Sequence, residues 1–547
     1  MHEGSISPFL SLPEDILLRI LLNLSADDIS RCRQTCKLMS ELSCTRAVRY
    51  KVELDAMGLV DSITATLPMA ERHDRLVLYR NAWRNASFAW DRNFPAHRRP
   101  ECWNWTGGVL PYVLDPESAD EAALHLYRPA SPGRGTAEFI WSLPRGTVQA
   151  GYGIYGCVVD ISQDLLALAL VPGPLVEQGT WKLQLVSISK NGVPHTEASS
   201  PLLDGPLFHS RPRPKACVMR VSGNTIGLQM MNHSWELLVW DWKESSLLWH
   251  SRRIDFLPFI LPSPSYMIVM PTQQMSERIL QVYRLDVEAE PFEVDSKARD
   301  RDPMATLRLF AFADGLFSDA ELIPPNNNHD ISTDRPSFKH QTDQTIFALY
   351  LHLQNIAIGH ANFGHVEKFL LLISIPSILK RLDHIRGLAN PDTVSTTSTP
   401  ASARVVEWDE WGSTDTRLIA LTGAFPWRGR VRTCGSRCAV QFGPDPRSNQ
   451  DCVRVILVDA HPAAPCIPNE GLEQARRALN LSQTIASPRL FKEPVRTTLP
   501  IRISYRELRP PVPEPIAVGL LGDGLVFRYR PSVHIHPPEG GLFGFYV

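Results

Sequence analysis

The sequence predicts an α+β multidomain protein, with three short amino-terminal helices followed by a mainly β body that reads as a β-propeller of about seven blades. Three observations predict it. Apolar residues recur at helical spacing near the amino terminus, but beyond residue 100 they fall into short, strand-length runs punctuated by Gly, Pro, Asn and Ser. The 45 prolines in 547 residues, about 8% against an average near 5%, argue against long helical arrays. The chain is also too long for one ordinary core. The divisions read as 1–60 for the helical unit, 61–99 for a helical connector and 100–547 for the body.

The first helix is signalled by Ser11 and Glu14 at capping-box spacing, with Pro13 suited to a first turn. Ile16, Leu17, Ile20, Leu21 and Leu24 then form one apolar stripe. Ser25 to Asp28 caps a second helix, which carries Ile29, Cys32, Cys36, Met39 and Leu42 at spacings of three and four. A third amphipathic stretch runs through Val48, Tyr50, Val52 and Leu54. Three helices in some fifty residues bury little surface among themselves, so part of this apolar face is expected to be covered by a partner or a neighbouring domain.

The string Leu12-Pro13-Glu14-Asp15-Ile16-Leu17, followed by Ile20-Leu21, Leu24, Asp28-Ile29, Cys32 and Cys36-Lys37, resembles the F-box. The resemblance covers about a tenth of the chain. Met39 stands where the family often has Trp, and Arg49-Tyr50 where it often has another. Membership would imply docking on a small Skp-type adaptor and, through it, on a cullin and a RING subunit. It would make Leu12, Pro13, Ile16, Leu17, Ile20, Leu21, Leu24, Ile29, Cys32 and Cys36 the partner contacts.

Met69, Leu76, Val77, Tyr79 and Trp83 mark a further amphipathic helix from Pro68 to about Phe88, expected to join the unit to the body and to fix its orientation if it packs on both. In the body, strands containing Val186, Val239, Val282, Ile373 and Leu457 look equivalent. Their separations are 53, 43, 91 and 84 residues, the last two reading as double spacings. A period of about 40–50 residues is the signature of propeller blades, and Val239-Trp240-Asp241-Trp242 resembles the ending of a WD repeat. Segments 324–343 and 390–403, rich in Asn, Asp, Pro, Ser and Thr, read as surface loops.

A net charge of −2 provides no electrostatic footprint for nucleic acid or anionic membrane, and Arg98-Arg99 and the basic string 211–215 read as solvated loops. No stretch approaches a membrane span, and the amino terminus has no basic-then-apolar signal pattern, so a cytoplasmic or nuclear protein is expected. Ten cysteines suit reduced, buried side chains, and the pairs Cys32/Cys36 and Cys434/Cys438 lack the companions a zinc site needs. Gly151 to Gly156 matches G-x-G-x-x-G but precedes a strand, so turn glycines are expected in place of a cofactor loop. His534 and His536 share a strand face without a third ligand. Trp235, Trp240, Trp242, Trp249, Trp408, Trp411 and Trp427 suit inter-blade packing.

Nothing nominates a catalytic group, a cofactor or a metal. The expected protein is a non-enzymatic substrate-recognition subunit of an SCF-type ubiquitin ligase, with an unknown protein substrate on the β body. Two other readings stay open: an F-box scaffold without a degradative role, and a propeller hydrolase or sugar-binding module with a helical cap. Stabilisation of a bound partner by an adaptor-dead mutation would separate the first from a ligase. Carboxylates of raised pKa clustered in the central channel would favour the second.

Overall fold

The computed structural model describes residues 8–62, 65–85, 90–95, 108–112, 122–173, 180–205, 216–231, 235–253, 256–271, 278–285, 303–313, 316–325, 336–341, 344–355, 367–388, 404–421, 430–442, 453–461, 483–508, 515–521, 523–529 and 541–546. The amino-terminal unit is α1 (Glu14–Asn23), α2 (Ala26–Arg33), α3 (Lys37–Ser43) and α4 (Arg46–Ala56). There are thus four helices where three were expected. The predicted second helix breaks at Gln34–Cys36, because Cys36 is extended, with φ −159° and ψ 166°, and serves as the N-cap of α3. The predicted capping box does not form either. Pro13 takes the N-cap of α1, while Ser11 ends a preceding 3-10 turn; Glu14 and Asp15 then meet the positive end of the helix dipole. The second cap forms as expected, with Ser25 Oγ accepting from the Asp28 N–H at 3.2 Å and donating to its carboxylate at 2.7 Å.

Leu17, Leu21, Ile29, Met39, Leu42 and Val48 make a core internal to this unit. Helix α4 has a second apolar face. Tyr50 and Leu54 pack with Leu76, Tyr79 and Trp83 of α5 (Met69–Asn85) and with Phe338, Val455 and Leu457 of the body. Gly58 turns the chain out of α4 at φ +64°, a conformation that a side chain would strain, and a Cβ there would stand 2.9 Å from the His461 ring. Leu59–Asp61 then pairs antiparallel with Phe338–His340 of the body. Helix α5 packs on both partners, as the orientation argument requires.

The body is a ring of sheets, six of them full blades. Blade I comprises Tyr152–Asp160, Leu165–Pro172, Lys182–Ser187 and Leu202–Asp204. Blade II comprises Ala216–Ser222, Thr225–Met231, Trp235–Asp241 and Ser246–Arg253. Blade III comprises Phe256–Ser263, Tyr266–Pro271, Ile279–Arg284 and Ala305–Arg308, with Arg404–Val406 added in parallel as a fifth strand. Blade IV comprises Leu316–Ile323, Ile346–Asn355, Glu367–Ser374 and Thr416–Ala420, with α6 (Ile375–Leu388) and α7 (Trp408–Asp415) inserted before the last strand. Blade V comprises Arg430–Cys434, Arg437–Phe442, Val453–Asp459 and Arg502–Leu508. Blade VI comprises Pro515–Leu521, Gly524–Tyr529 and Gly541–Tyr546, and is completed by Trp90–Pro95 from before the body. The first strands of successive blades stand side by side from I to VI, which makes them the inner ring.

A three-stranded sheet, Leu110–Tyr112, Ala122–Arg128 and Phe139–Pro144, packs its Leu124, Leu126 and Leu143 against Leu166 and Leu168 of blade I, and its Arg134 loop reaches the Asp523 turn of blade VI. The expectation of about seven blades therefore becomes six complete ones and this shorter sheet. Val186, Val239, Val282, Ile373 and Leu457 all lie on third strands, of blades I to V in order. The separations of 91 and 84 are thus not double spacings. They are single repeats lengthened by insertions, such as 286–302 in blade III and 375–415, which carries α6 and α7, in blade IV.

Gly153 and Gly156 lie within the first strand of blade I and not in a turn, and a Cβ on Gly156 would meet Cys217 Sγ of blade II at 2.7 Å. Gly156 permits close approach of the neighbouring blade, whereas nothing stands within 4 Å of the Cβ position of Gly153. Trp240, Trp242, Trp249 and Trp411 are buried, and Trp181 and Trp240 meet edge-to-face across blades I and II. The Asp241 carboxylate accepts from the N–H groups of Lys243 and Glu244, and Asp459, at the matching place in blade V, accepts from that of His461. No disulfide joins the seven described cysteines; burial pushes the Cys434 thiol up to about 12, as suits an inert core residue. Among the described residues no helix is long and apolar enough to cross a membrane.

Candidate docking face

The apolar stripe of α1 divides into two faces. Leu17 and Leu21, both 0% exposed, point into the helical core with Ile29 at 3%; Leu24, Cys32 and Cys36 are half-buried against the same core. On the other side Leu12 and Ile16 are 37% and 36% exposed, Pro13 is exposed, and Ile20 is half-buried one helical turn beyond Ile16. Phe9, at 42%, extends this line backward by three residues. Three of the eight exposed large apolar side chains among the described residues thus fall within 9–16, which makes this stretch the apolar surface least explained by internal packing.

Of the ten residues expected to touch a partner, the structure therefore places Leu12, Pro13, Ile16 and Ile20 on the outside. It places Leu17, Leu21 and Ile29 inside. Phe9 was not singled out, though an apolar residue three before Leu12 was the available signal. The rim is acidic and basic by turns: Glu14 and Asp15 are exposed at the start of α1, Arg31 pairs with Asp28 at 3.3 Å and Lys37 with Glu41 at 3.7 Å.

Polar contacts add to the apolar packing of α4 and α5 in holding this face relative to the body. Tyr50 donates to the Ser337 carbonyl at 3.1 Å and to Asp61 at 2.9 Å, and Arg72 grips the Asp61 carboxylate at 2.6 and 2.7 Å. Arg80 of α5 pairs with Glu53 of α4 at 2.8 Å. Deeper in the seam the Tyr79 hydroxyl lies 3.3 Å from His340 Nε2 and accepts from Arg437 at 3.1 Å, while the Arg437 guanidinium stacks 4.4 Å over Trp83. Arg134 donates to both oxygens of Asp523 at 3.1 and 2.9 Å and to the Phe338 carbonyl at 3.3 Å. Burial alone would raise the Asp523 carboxyl, but the Arg134 guanidinium overrides it and holds the group well below the usual carboxylate range. Burial pushes the Tyr79 hydroxyl up and His340 down, so the phenol and a neutral imidazole share the seam. No sequence signal pointed to this cluster, whose members come from five distant segments.

A small cavity of about 20 Å³ beneath the seam, lined by Trp83, Arg437, Asp459, Arg502 and Ser504, has room for one water. Among the described residues no three His, Cys, Asp or Glu side chains group as metal ligands. His534, His536, Trp427, Arg98-Arg99, the string 211–215 and the segment 390–403 lie outside the described residues.

A family model for the F-box-like domain matches residues 9–53. No curated protein sequence matches the chain. Solved structures similar to it include the WD40 domain of SCAP from fission yeast, at 7% identity and a TM-score of 0.32, covering 82% of this chain and 81% of that one. A prolyl endopeptidase is similar at 10% identity and a TM-score of 0.32, covering 84% of this chain and 58% of that one. A eukaryotic initiation factor is similar at 8% identity and a TM-score of 0.24, covering 66% and 84%.

Proposed function

We propose, from the premise that residues 9–53 form an F-box-like domain, that this protein is a substrate-recognition subunit of an SCF-type cullin ubiquitin ligase. The helical unit docks on a Skp-type adaptor, which brings a cullin and a RING subunit, and the propeller binds a protein substrate in the cytoplasm or nucleus. The observation that carries this reading is the exposed apolar line Phe9, Leu12 and Ile16 on a unit bolted to a propeller through α4 and α5. The protein supplies no chemistry of its own. It raises the local concentration of substrate lysine near the charged conjugating enzyme, and a rigid mount keeps that distance defined.

Docking on this face is hydrophobic, and exposed charge pairs at the rim contribute under about 1 kcal/mol each, so adaptor affinity falls only mildly with salt. The test is co-purification of the full chain with the adaptor after Leu12→Asp plus Ile16→Asp. Both side chains are outward, so the fold survives, as an unchanged melting curve verifies, and adaptor capture is lost. Capture that persists in the folded double variant disproves this docking face. If adaptor-dead protein does not raise the level of any bound partner in cells, the degradative role fails while docking stands.

A further inference from the structure

The ring handles its outer sheet edges in two informative ways. Blade VI is completed by Trp90–Pro95, a strand from far away in the sequence, and the outer strand of blade III, already fourth in its sheet, takes Arg404–Val406 as a fifth. In that fifth strand Val406 is buried, while Arg404 and Val405 are exposed. Outer edges of this body thus accept extended segments from elsewhere. The three-stranded sheet is one strand short of every full blade: Phe139–Pro144 pairs with Ala122–Arg128 on one side, and no described strand pairs with its other side.

That edge lacks the usual protections. It runs Phe139-Ile140-Trp141-Ser142-Leu143 without a charge, a glycine or a proline until Pro144, and its one register shift lies at the far end of the ladder, beside Ala122. Phe139 and Trp141 are half-buried toward the core shared with blade I, whereas Ile140 is 59% exposed. The turn of blade I closes against the end of this strand: a Cβ on Gly192 would meet Leu143 at 2.5 Å, and the next residue, Val193, is exposed. An edge of this kind binds by main-chain hydrogen bonds and selects by alternate side chains.

We propose that the outer edge of Phe139–Pro144 is a strand-addition site that takes an extended segment of a partner protein, about six residues long like the edge itself and apolar at alternate positions. This deepens the reading of the propeller as the substrate-binding body by naming the form of the substrate segment. It does not depend on adaptor docking.

The test selects random displayed peptides against the full-length chain, then compares synthetic copies of the winners on the native protein, Ile140→Lys and Ile140→Thr. Both variants alter an exposed side chain, and their melting curves serve as the folding control. The expected result is peptides alternating apolar and polar residues that bind about tenfold weaker to I140K and within about threefold of native to I140T, and that slow hydrogen exchange of amides within residues 139–143. Failure to enrich any peptide, equal binding to I140K, or protection elsewhere overturns the site. So does protection of both faces of the edge in the free monomer, which would mean that the chain covers it itself. A concentration-dependent dimer abolished by I140K would assign the edge to a second copy instead. Adaptor capture by the same samples, measured in parallel, keeps a failure here separate from a failure of the ligase reading.

Discussion

Arg134 and Asp523 stand 389 residues apart in the chain and meet in a two-pronged ion pair buried on both sides. Such a pair adds little over well-packed apolar side chains, but breaking it leaves a buried charge. Arg134→Met alone is expected to cost about 3–5 kcal/mol in urea unfolding, and Arg134→Met with Asp523→Leu to recover much of that. The pH dependence follows from two depressed values. Because the folded His340 binds its proton less readily than the unfolded one, stability declines as pH falls below about 6.5. The Asp523 contribution is complete above about 4 and is lost as pH falls further toward its folded value. In R134M the lower limb flattens; an unchanged limb would show that Asp523 does not depend on Arg134.

At the scale of the element, α1 does two jobs with one periodicity. Leu17 and Leu21 hold the unit together, and Ile16, a neighbour in sequence, points away from that core. Leu17→Ala is therefore expected to destabilise the unit by about 2–5 kcal/mol, and Ile16→Ala by under about 1, in chemical denaturation followed by helix signal. Equal losses would erase the distinction between inner and outer faces. The 3.6-residue period was legible because it depends on spacing alone. Which side of the stripe faces inward was not, because Ile16 and Leu17 are equally apolar and only the arrival of α2, α3 and α4 distinguishes them.

At the scale of the molecule, the helical unit and the propeller form one orientation through a seam in which Tyr79 is central, edge-on to Phe338 at 5.2 Å and to Trp83 at 6.3 Å. Tyr79→Ala removes a fully buried ring and the acceptor of Arg437, at a cost of about 3–5 kcal/mol. The helical core does not include Tyr79, so that unit stays folded while its orientation spreads. Small-angle scattering should then give a larger radius of gyration; an unchanged profile would place the rigidity elsewhere.

Local order was written in the sequence: the amphipathic helices, the strand runs and the Ser25 cap each depend on residues only a few positions apart. The amino-terminal pattern was legible for the same reason. Tertiary structure alone decided the number of full blades, since insertions stretch the repeat to 91 and 84 residues and only pairing shows that the described strands inside them form no further blade. It alone divided the α1 stripe and brought Trp90–Pro95 to Gly541–Tyr546. It also joined Arg134 to Asp523. Contacts between distant segments arise from burial shared across the ring, and spacing within a segment carries no record of what will pack against it.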